Sequence, residues 1–319
     1  MDKAQAWLLA SLRVFQHLAR AFPHAEAGVA IRNVVDLHPG GMSAADRATR
    51  AGHMAVWPEE LAPARLEADT FSYQAPVVHM RTYLPFVRRC CLARGVRFHR
   101  ARVASLAHAV EVATRASPAA RGRWGGGGGG VVVNCTGLGS RSLEDVRDGH
   151  LYPNRGVLVL VDLPSATSVV TNTAFDGEKL AYVCPQKDGV LACGGLSQKG
   201  AYSTTVTDEE ARGVLERCAS FTPGLRAAKV LGTWAGLRPS RHGGVRLEPG
   251  AAGPAPGAPL NVIHNYGHGG SGVVLSWCVL ARALPAAPWQ PRAPGQHANV
   301  PPASPFLLAQ PRVPAARVS

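Results

Sequence analysis

Two glycine-rich turns, one arginine and one tyrosine are the residues of this chain whose types and spacing point to chemistry. The stretch Val262-Ile263-His264-Asn265-Tyr266-Gly267-His268-Gly269-Gly270-Ser271-Gly272-Val273 runs from an apolar strand pattern through a glycine turn into an apolar helix pattern. Glycines at such a junction let backbone N–H groups approach an anion or a polar ring edge, helped by the positive end of the helix. Read alone, the same pattern also serves as a plain strand–helix turn. A second turn follows the apolar run Val131-Val132-Val133 and reads Asn134-Cys135-Thr136-Gly137-Leu138-Gly139-Ser140. Its G-x-G is half of a dinucleotide fingerprint, and residues 1–30 contain no complete one.

The third signal is Trp234-Ala235-Gly236-Leu237-Arg238-Pro239-Ser240-Arg241. A guanidinium at the end of an apolar strand is costly to bury unpaired, and its planar fork matches a carboxylate. In isolation an internal salt bridge is the plainer role. Tyr182, in Leu180-Ala181-Tyr182-Val183-Cys184-Pro185, reads as a core residue or a hydroxyl donor. The 12 histidines suggest a metal, but His264 and His268 flank a glycine turn rather than sharing a helix face. Ser271 lacks the G-x-S-x-G of a nucleophile elbow. The 7 cysteines include no C-x-x-C pair, which speaks for a reducing compartment and against zinc.

Elements must hold these residues in place. Helical spacing of Trp7, Leu8, Leu12, Phe15 and Leu18 predicts a helix over 4–22, and Val29–Leu37 reads as a strand ended by His38-Pro39-Gly40-Gly41. A helix is expected over Arg81–Arg94, with Pro85 in its first turn and Gly95 closing it. Val96–His99 and Arg102–Leu106 read as strands, and residues 107–130, ending in Gly125–Gly130, as a flexible insert. Val131–Asn134 and Gly156–Asp162 are strand-like, and Ala181–Cys184 with Val190–Cys193 form a hairpin about Lys187-Asp188-Gly189. Thr207 and Glu210 have capping-box spacing for a helix running to about Ala219. Further strands are expected at Lys229–Leu237, Gly244–Leu247 and Asn261–Asn265, and a helix at Gly272–Leu284. From Pro285 to Ser319 the Pro- and Ala-rich chain reads as a disordered tail.

With 319 residues, 46% of them hydrophobic and 17% charged, a sizeable core is available and wholesale disorder is excluded. No apolar run reaches the roughly 18–20 residues of a membrane helix, so no membrane partner is expected. The net charge of +13 comes from scattered arginines rather than a basic stripe with aromatics, so no nucleic-acid partner is expected either. Irregular alternation of strands and helices points to a mixed α/β (α+β) fold.

The order of these signals resembles the D-amino-acid oxidase family of flavoproteins, which includes D-aspartate oxidase. The matching pieces are Tyr83-Leu84-Pro85 with Arg94-Gly95-Val96, Val133-Asn134-Cys135-Thr136-Gly137, Tyr152-Pro153 with Arg155-Gly156, and Tyr182 with Pro185. They continue through Gly194-Gly195 with Gln198 and Gly200, Gly236-Leu237-Arg238-Pro239 with Arg241, and His264 to Gly270. The resemblance covers about residues 5–284. It implies FAD as cofactor, and a Rossmann-like FAD domain interleaved with a mixed-sheet substrate domain. Residues 81–140 and 244–284 would be mainly cofactor domain, and 29–80 with 150–238 mainly substrate domain. It further implies that Arg238 pairs with the substrate α-carboxylate, that Tyr182 donates to the same group, and that the Gly270 backbone accepts from the amine. Gly269, Gly270, Ser271, Gly272, Val273 and Val274 would lie against the flavin, with Val103, Thr136 and Gly137 at further FAD positions.

The implied reaction converts a D-amino acid, oxygen and water to a 2-oxo acid, ammonia and hydrogen peroxide, by hydride transfer to flavin N5 and with no catalytic acid or base. Phe175 and Ser197 stand where the acidic branch carries arginines, which implies neutral substrates. Glu178 stands where the family has a second active-site tyrosine. The family's opening β-α-β unit, with its G-x-G-x-x-G turn, has no counterpart here, so the cofactor domain reads as incomplete. That sets a non-catalytic remnant against the enzyme, with an oxidase of glycine or sarcosine as another alternative. Homodimers are allowed by the resemblance. It also implies a peroxisomal location, although Ala316-Arg317-Val318-Ser319 is no peroxisomal signal, which leaves the cytoplasm.

Overall fold

The computed structural model describes residues 3–55, 65–67, 69–117, 130–175, 177–252 and 260–277. Helices α1 (Lys3–Ala21) and α2 (His24–Ala27) lead into strand β1 (Val29–Leu37), followed by α3 (Ala44–Ala55), β2 (Arg65–Leu66) and β3 (Thr70–Val78). Then come α4 (Met80–Ala93), α5 (Leu106–Ala116), β4 (Val131–Asn134) and β5 (Leu151–Asp162). The chain continues through β6 (Val169–Asn172), β7 (Lys179–Pro185), β8 (Val190–Leu196), β9 (Gln198–Lys199) and α6 (Asp208–Ala219). It closes with β10 (Lys229–Arg241), β11 (Arg246–Ala252) and β12 (Leu260–Tyr266).

Nine strands form one sheet in the order β10-β5-β8-β7-β6-β1-β3-β2, with β9 pairing onto β5. Its pairings are antiparallel except for β1 with β6. Because side chains alternate along a strand, β5 sends Val157, Val159 and Val161 to one face and Gly156 and Leu158 to the other. The valine face packs with Val183, Leu191 and Cys193 against Val214 and Cys218 of α6. The opposite face is the one that carries Tyr182 and Arg238. Helix α6 starts with the expected capping box, Thr207 Oγ1 accepting from Glu210 N–H at 3.1 Å while Glu210 accepts from Thr207 N–H at 3.0 Å. The Glu210 carboxylate also pairs at 2.7 Å with the buried Arg155 of β5, which fixes the helix to the sheet.

A second sheet holds β11, β12 and β4, with β12 and β4 parallel. Phe15 and Leu18 of α1 pack with Val29, Tyr83 and Phe86, which explains the apolar stripe of α1.

Several expectations need correction. Residues 107–116, placed at the start of the flexible insert, belong to α5. The Ser105 hydroxyl accepts from His108 N–H at 2.9 Å, and the Asp145 carboxylate accepts from Leu106 and Ala107 N–H at 2.9 and 3.2 Å. These satisfy the donors that a helix start leaves orphaned. Neither Val96–His99 nor Arg102–Leu106 is a strand, since no strand lies alongside them among the described residues; Leu106 instead opens α5 and is buried beside Leu143 and Val262. Pro85 lies past the first turn of α4, inside the helix. The strand expected at Gly244–Leu247 runs later, as β11, because Gly243 and Gly244 both take left-handed φ in the preceding turn. Residues 118–129, with most of the glycine run, and the tail 285–319 lie outside the described residues, as do residues 278–284 of the expected last helix.

Candidate functional site

A cleft of about 560 Å³ opens between the Tyr182 and Arg238 face of the large sheet and the glycine turn after β12. Its walls include Gly156 and Leu158 from β5, Tyr182 from β7, Trp234, Gly236 and Arg238 from β10, and Gly267 to Gly270. Sheet register explains how residues so far apart in the chain meet. Tyr182 is the cross-strand partner of Gly194, and Gly194 in turn pairs with Leu158. On β10, Arg238 stands two residues beyond Gly236, the partner of Gly156.

The Tyr182 and Arg238 side chains both lie flat because the residues beneath them are glycines. A Cβ on Gly194 would occupy the space of the Tyr182 phenol, and one on Gly156 the space of the Arg238 guanidinium. Arg238 Nη1 donates to the Leu196 carbonyl at 3.1 Å, which holds one edge of the fork. No carboxylate lies within ion-pairing distance of Arg238 among the described residues. The internal salt bridge that the sequence made the plainer reading is therefore absent, and the fork is left with donors to offer a ligand. Burial pushes the Tyr182 phenol above its ordinary range, while the neighbouring Arg238 pulls it back only in part. Tyr182 is therefore a neutral phenol beside a cation, and it lines the cleft.

The glycine turn is locked against the end of β10. Ser240 forms an isolated bridge with His268, and a Cβ on Gly270 would touch the Arg238 side chain at 3.5 Å. Gly267 and Gly269 take φ of +87° and +56°, a region that L side chains avoid, so glycine is required at both. After the turn, Leu275 N–H donates to the Ser271 carbonyl at 3.1 Å, the first bond of a helical turn. The N–H groups of Gly272 and Val273 have no acceptor among the described residues, as expected at a helix start.

Two networks set these pieces in register. Asp148 accepts from Arg241 Nε at 2.9 Å and from the Tyr266 hydroxyl at 2.8 Å. Burial pushes its carboxyl up, yet these bonds and that from His150 N–H hold it below the ordinary range. Asn134 Nδ2 lies 3.2 Å from His264 Nδ1, and Asn134 Oδ1 accepts from Thr136 N–H and Oγ1 at 3.1 and 2.8 Å. Burial and the nearby Arg246 hold His264 below its ordinary value, so it stays neutral.

Of the residues singled out from the sequence, Tyr182, Arg238, Gly137, Gly269, Gly270, Gly272 and Val273 all line the cleft. Ser271 and Val274 are exposed on the same turn but do not line it. Thr136 is turned to Asn134 and Ser140 instead. Val103 packs against the cluster of Leu106, Leu143 and Val262, away from the cleft. Sequence reasoning missed Trp234 and Leu158 as wall residues, and Asp148 as the link between β10 and β12. The alternation of Trp234, Gly236 and Arg238 was the available signal for Trp234.

Residues 4–284 match the family model described as DAO, FAD dependent oxidoreductase. The chain is 35% identical over 277 residues to the D-amino-acid oxidase of Streptomyces coelicolor, covering 86% of this chain and 76% of that relative. It is 28% identical over 284 residues to the D-amino-acid oxidase of Schizosaccharomyces pombe, covering 85% and 75%. In fold it is similar to glycine oxidase from Geobacillus kaustophilus, with a TM-score of 0.61 at 16% identity over 88% of this chain and 77% of that one.

Proposed function

The chain belongs to the D-amino-acid oxidase family of FAD-dependent oxidoreductases, and from that premise we propose that it oxidises neutral D-amino acids. A D-amino acid, oxygen and water would give a 2-oxo acid, ammonia and hydrogen peroxide. Arg238 carries the reading: a cation without a carboxylate of its own lines the cleft, beside a neutral phenol.

The Arg238 fork binds the substrate α-carboxylate, and the Tyr182 hydroxyl donates to the same group, so two donors set its orientation. The Gly270 carbonyl accepts from the substrate amine. Held at both ends, the substrate keeps one face of Cα toward the glycine turn. No side chain has to move a proton in the bond-breaking step, which agrees with a cleft lined mainly by glycines and apolar groups. Gly137, Gly269, Gly270, Gly272 and Val273 fit the cofactor role: they present a surface without side-chain bulk, and the N–H groups of Gly272 and Val273 are free to donate. FAD, when bound there, supplies the two-electron acceptor for the hydride that leaves Cα. The larger sheet would then be the substrate side, and the β4–β11–β12 sheet the cofactor side.

Neutral substrates are favoured because Arg238 is the one Lys or Arg among the described residues that line the cleft. His268 also lines it, but burial holds its imidazole below the ordinary value and therefore uncharged. A substrate side-chain carboxylate would have no counter-ion. Replacing Arg238 by leucine tests the reading. Turnover of D-alanine should fall by at least about a thousandfold with flavin content unchanged, the cost of a lost charge-assisted anchor in the transition state. Loss of flavin in proportion to activity would make Arg238 a structural residue instead.

A further inference from the structure

We propose that Trp234 determines side-chain specificity, forming an apolar wall beside the carboxylate anchor that selects flat, apolar substrate side chains over small ones. This rests on Arg238 binding the α-carboxylate. Gly236 of β10 and Gly156 of β5 face one another as cross-strand partners. A Cβ on Gly236 would fall on the Trp234 indole, and a Cβ on Gly156 on the Arg238 guanidinium. Cross-strand Cβ positions are about 5 Å apart, so the indole edge and the guanidinium stand side by side at about that spacing.

A carboxylate seated on Arg238 therefore brings its Cα substituent within reach of the indole. Trp234 is 56% exposed and lines the cleft, so its ring is bare to whatever enters there. Leu158 lines the cleft on the same sheet face, opposite Trp234 in register, and extends the apolar wall. Large aromatic surfaces gain most from burial against another flat ring, and a methyl side chain is too short to collect that gain.

Equilibrium binding of D-phenylalanine and D-alanine to the whole chain without added FAD, read by calorimetry, tests this without turnover. The protein should bind D-phenylalanine at least tenfold more tightly than D-alanine. Trp234→Ala should erase that ratio while leaving D-alanine affinity within about twofold, and Trp234→Phe should keep most of it. Equal weakening of both ligands by Trp234→Ala would overturn the inference, and so would no change in either. Arg238→Leu separates the two claims. If wild-type protein binds D-alanine and Arg238→Leu does not, the anchor stands whatever Trp234 does. If wild-type protein binds neither amino acid, the anchor and the wall both fall.

Discussion

The Tyr266 hydroxyl donates to the Asp148 carboxylate at 2.8 Å, which ties the strand delivering the glycine turn to the chain entering β5. Arg241 Nε donates to the same oxygen at 2.9 Å, so one carboxylate fixes the ends of β10 and β12 together. Removing one member of a buried charged network leaves the others unpaired, at a cost of several kcal/mol. Asp148→Ala should therefore destabilise the fold by roughly 2–4 kcal/mol in urea unfolding, given that Arg241 keeps some solvent contact. A loss below about 0.5 kcal/mol would show that the network is incidental.

Acid sensitivity should appear in two windows. His264 and His268 are both held below the ordinary value of 6.5 by burial, with Arg246 adding to the effect at His264. The unfolded chain takes up their protons first, so stability from this source is complete above about pH 6.5 and declines as pH falls through the lower folded values. Asp148 sits below its ordinary 3.8, so its contribution persists above that pH and is lost further down. Unfolding free energy measured from pH 7.5 to 5.5 should fall, and His264→Gln should flatten part of the slope. A flat wild-type profile across that range would contradict the assignment.

Gly156 and Gly194 should matter to the site more than to the fold. An added methyl meets the movable ends of Arg238 and Tyr182 rather than fixed backbone at the nearest approach. Gly156→Ala and Gly194→Ala should each raise KM for D-alanine about tenfold or more, with the unfolding midpoint nearly unchanged. Unaltered KM in both variants would mean that the side chains reach the substrate from another position.

Local chemistry was the legible part of this chain. Thr207 and Glu210 announce the start of α6 by spacing alone, and Val29–Leu37 shows its strand as a β-branched run. Helix α5 was hard to read because Asp145, which joins Ser105 in capping its start, lies 39 residues from Leu106. Arg238 illustrates the limit from the other side. Its strand-end position is plain in the sequence, whereas the absence of a counter-ion among the described residues depends on which distant segments the fold brings around it. The same holds for Trp234, whose place beside Arg238 follows from the pairing of Gly236 with Gly156. The family pattern of Arg238 and His264 to Gly270 was legible because those residues are contiguous motifs.

Cofactor binding is the central claim, and the visible spectrum tests it most directly. Purified protein incubated with excess FAD and passed through gel filtration should elute with flavin absorbance, and D-alanine should bleach that absorbance in the absence of oxygen. Protein that elutes colourless would contradict the account.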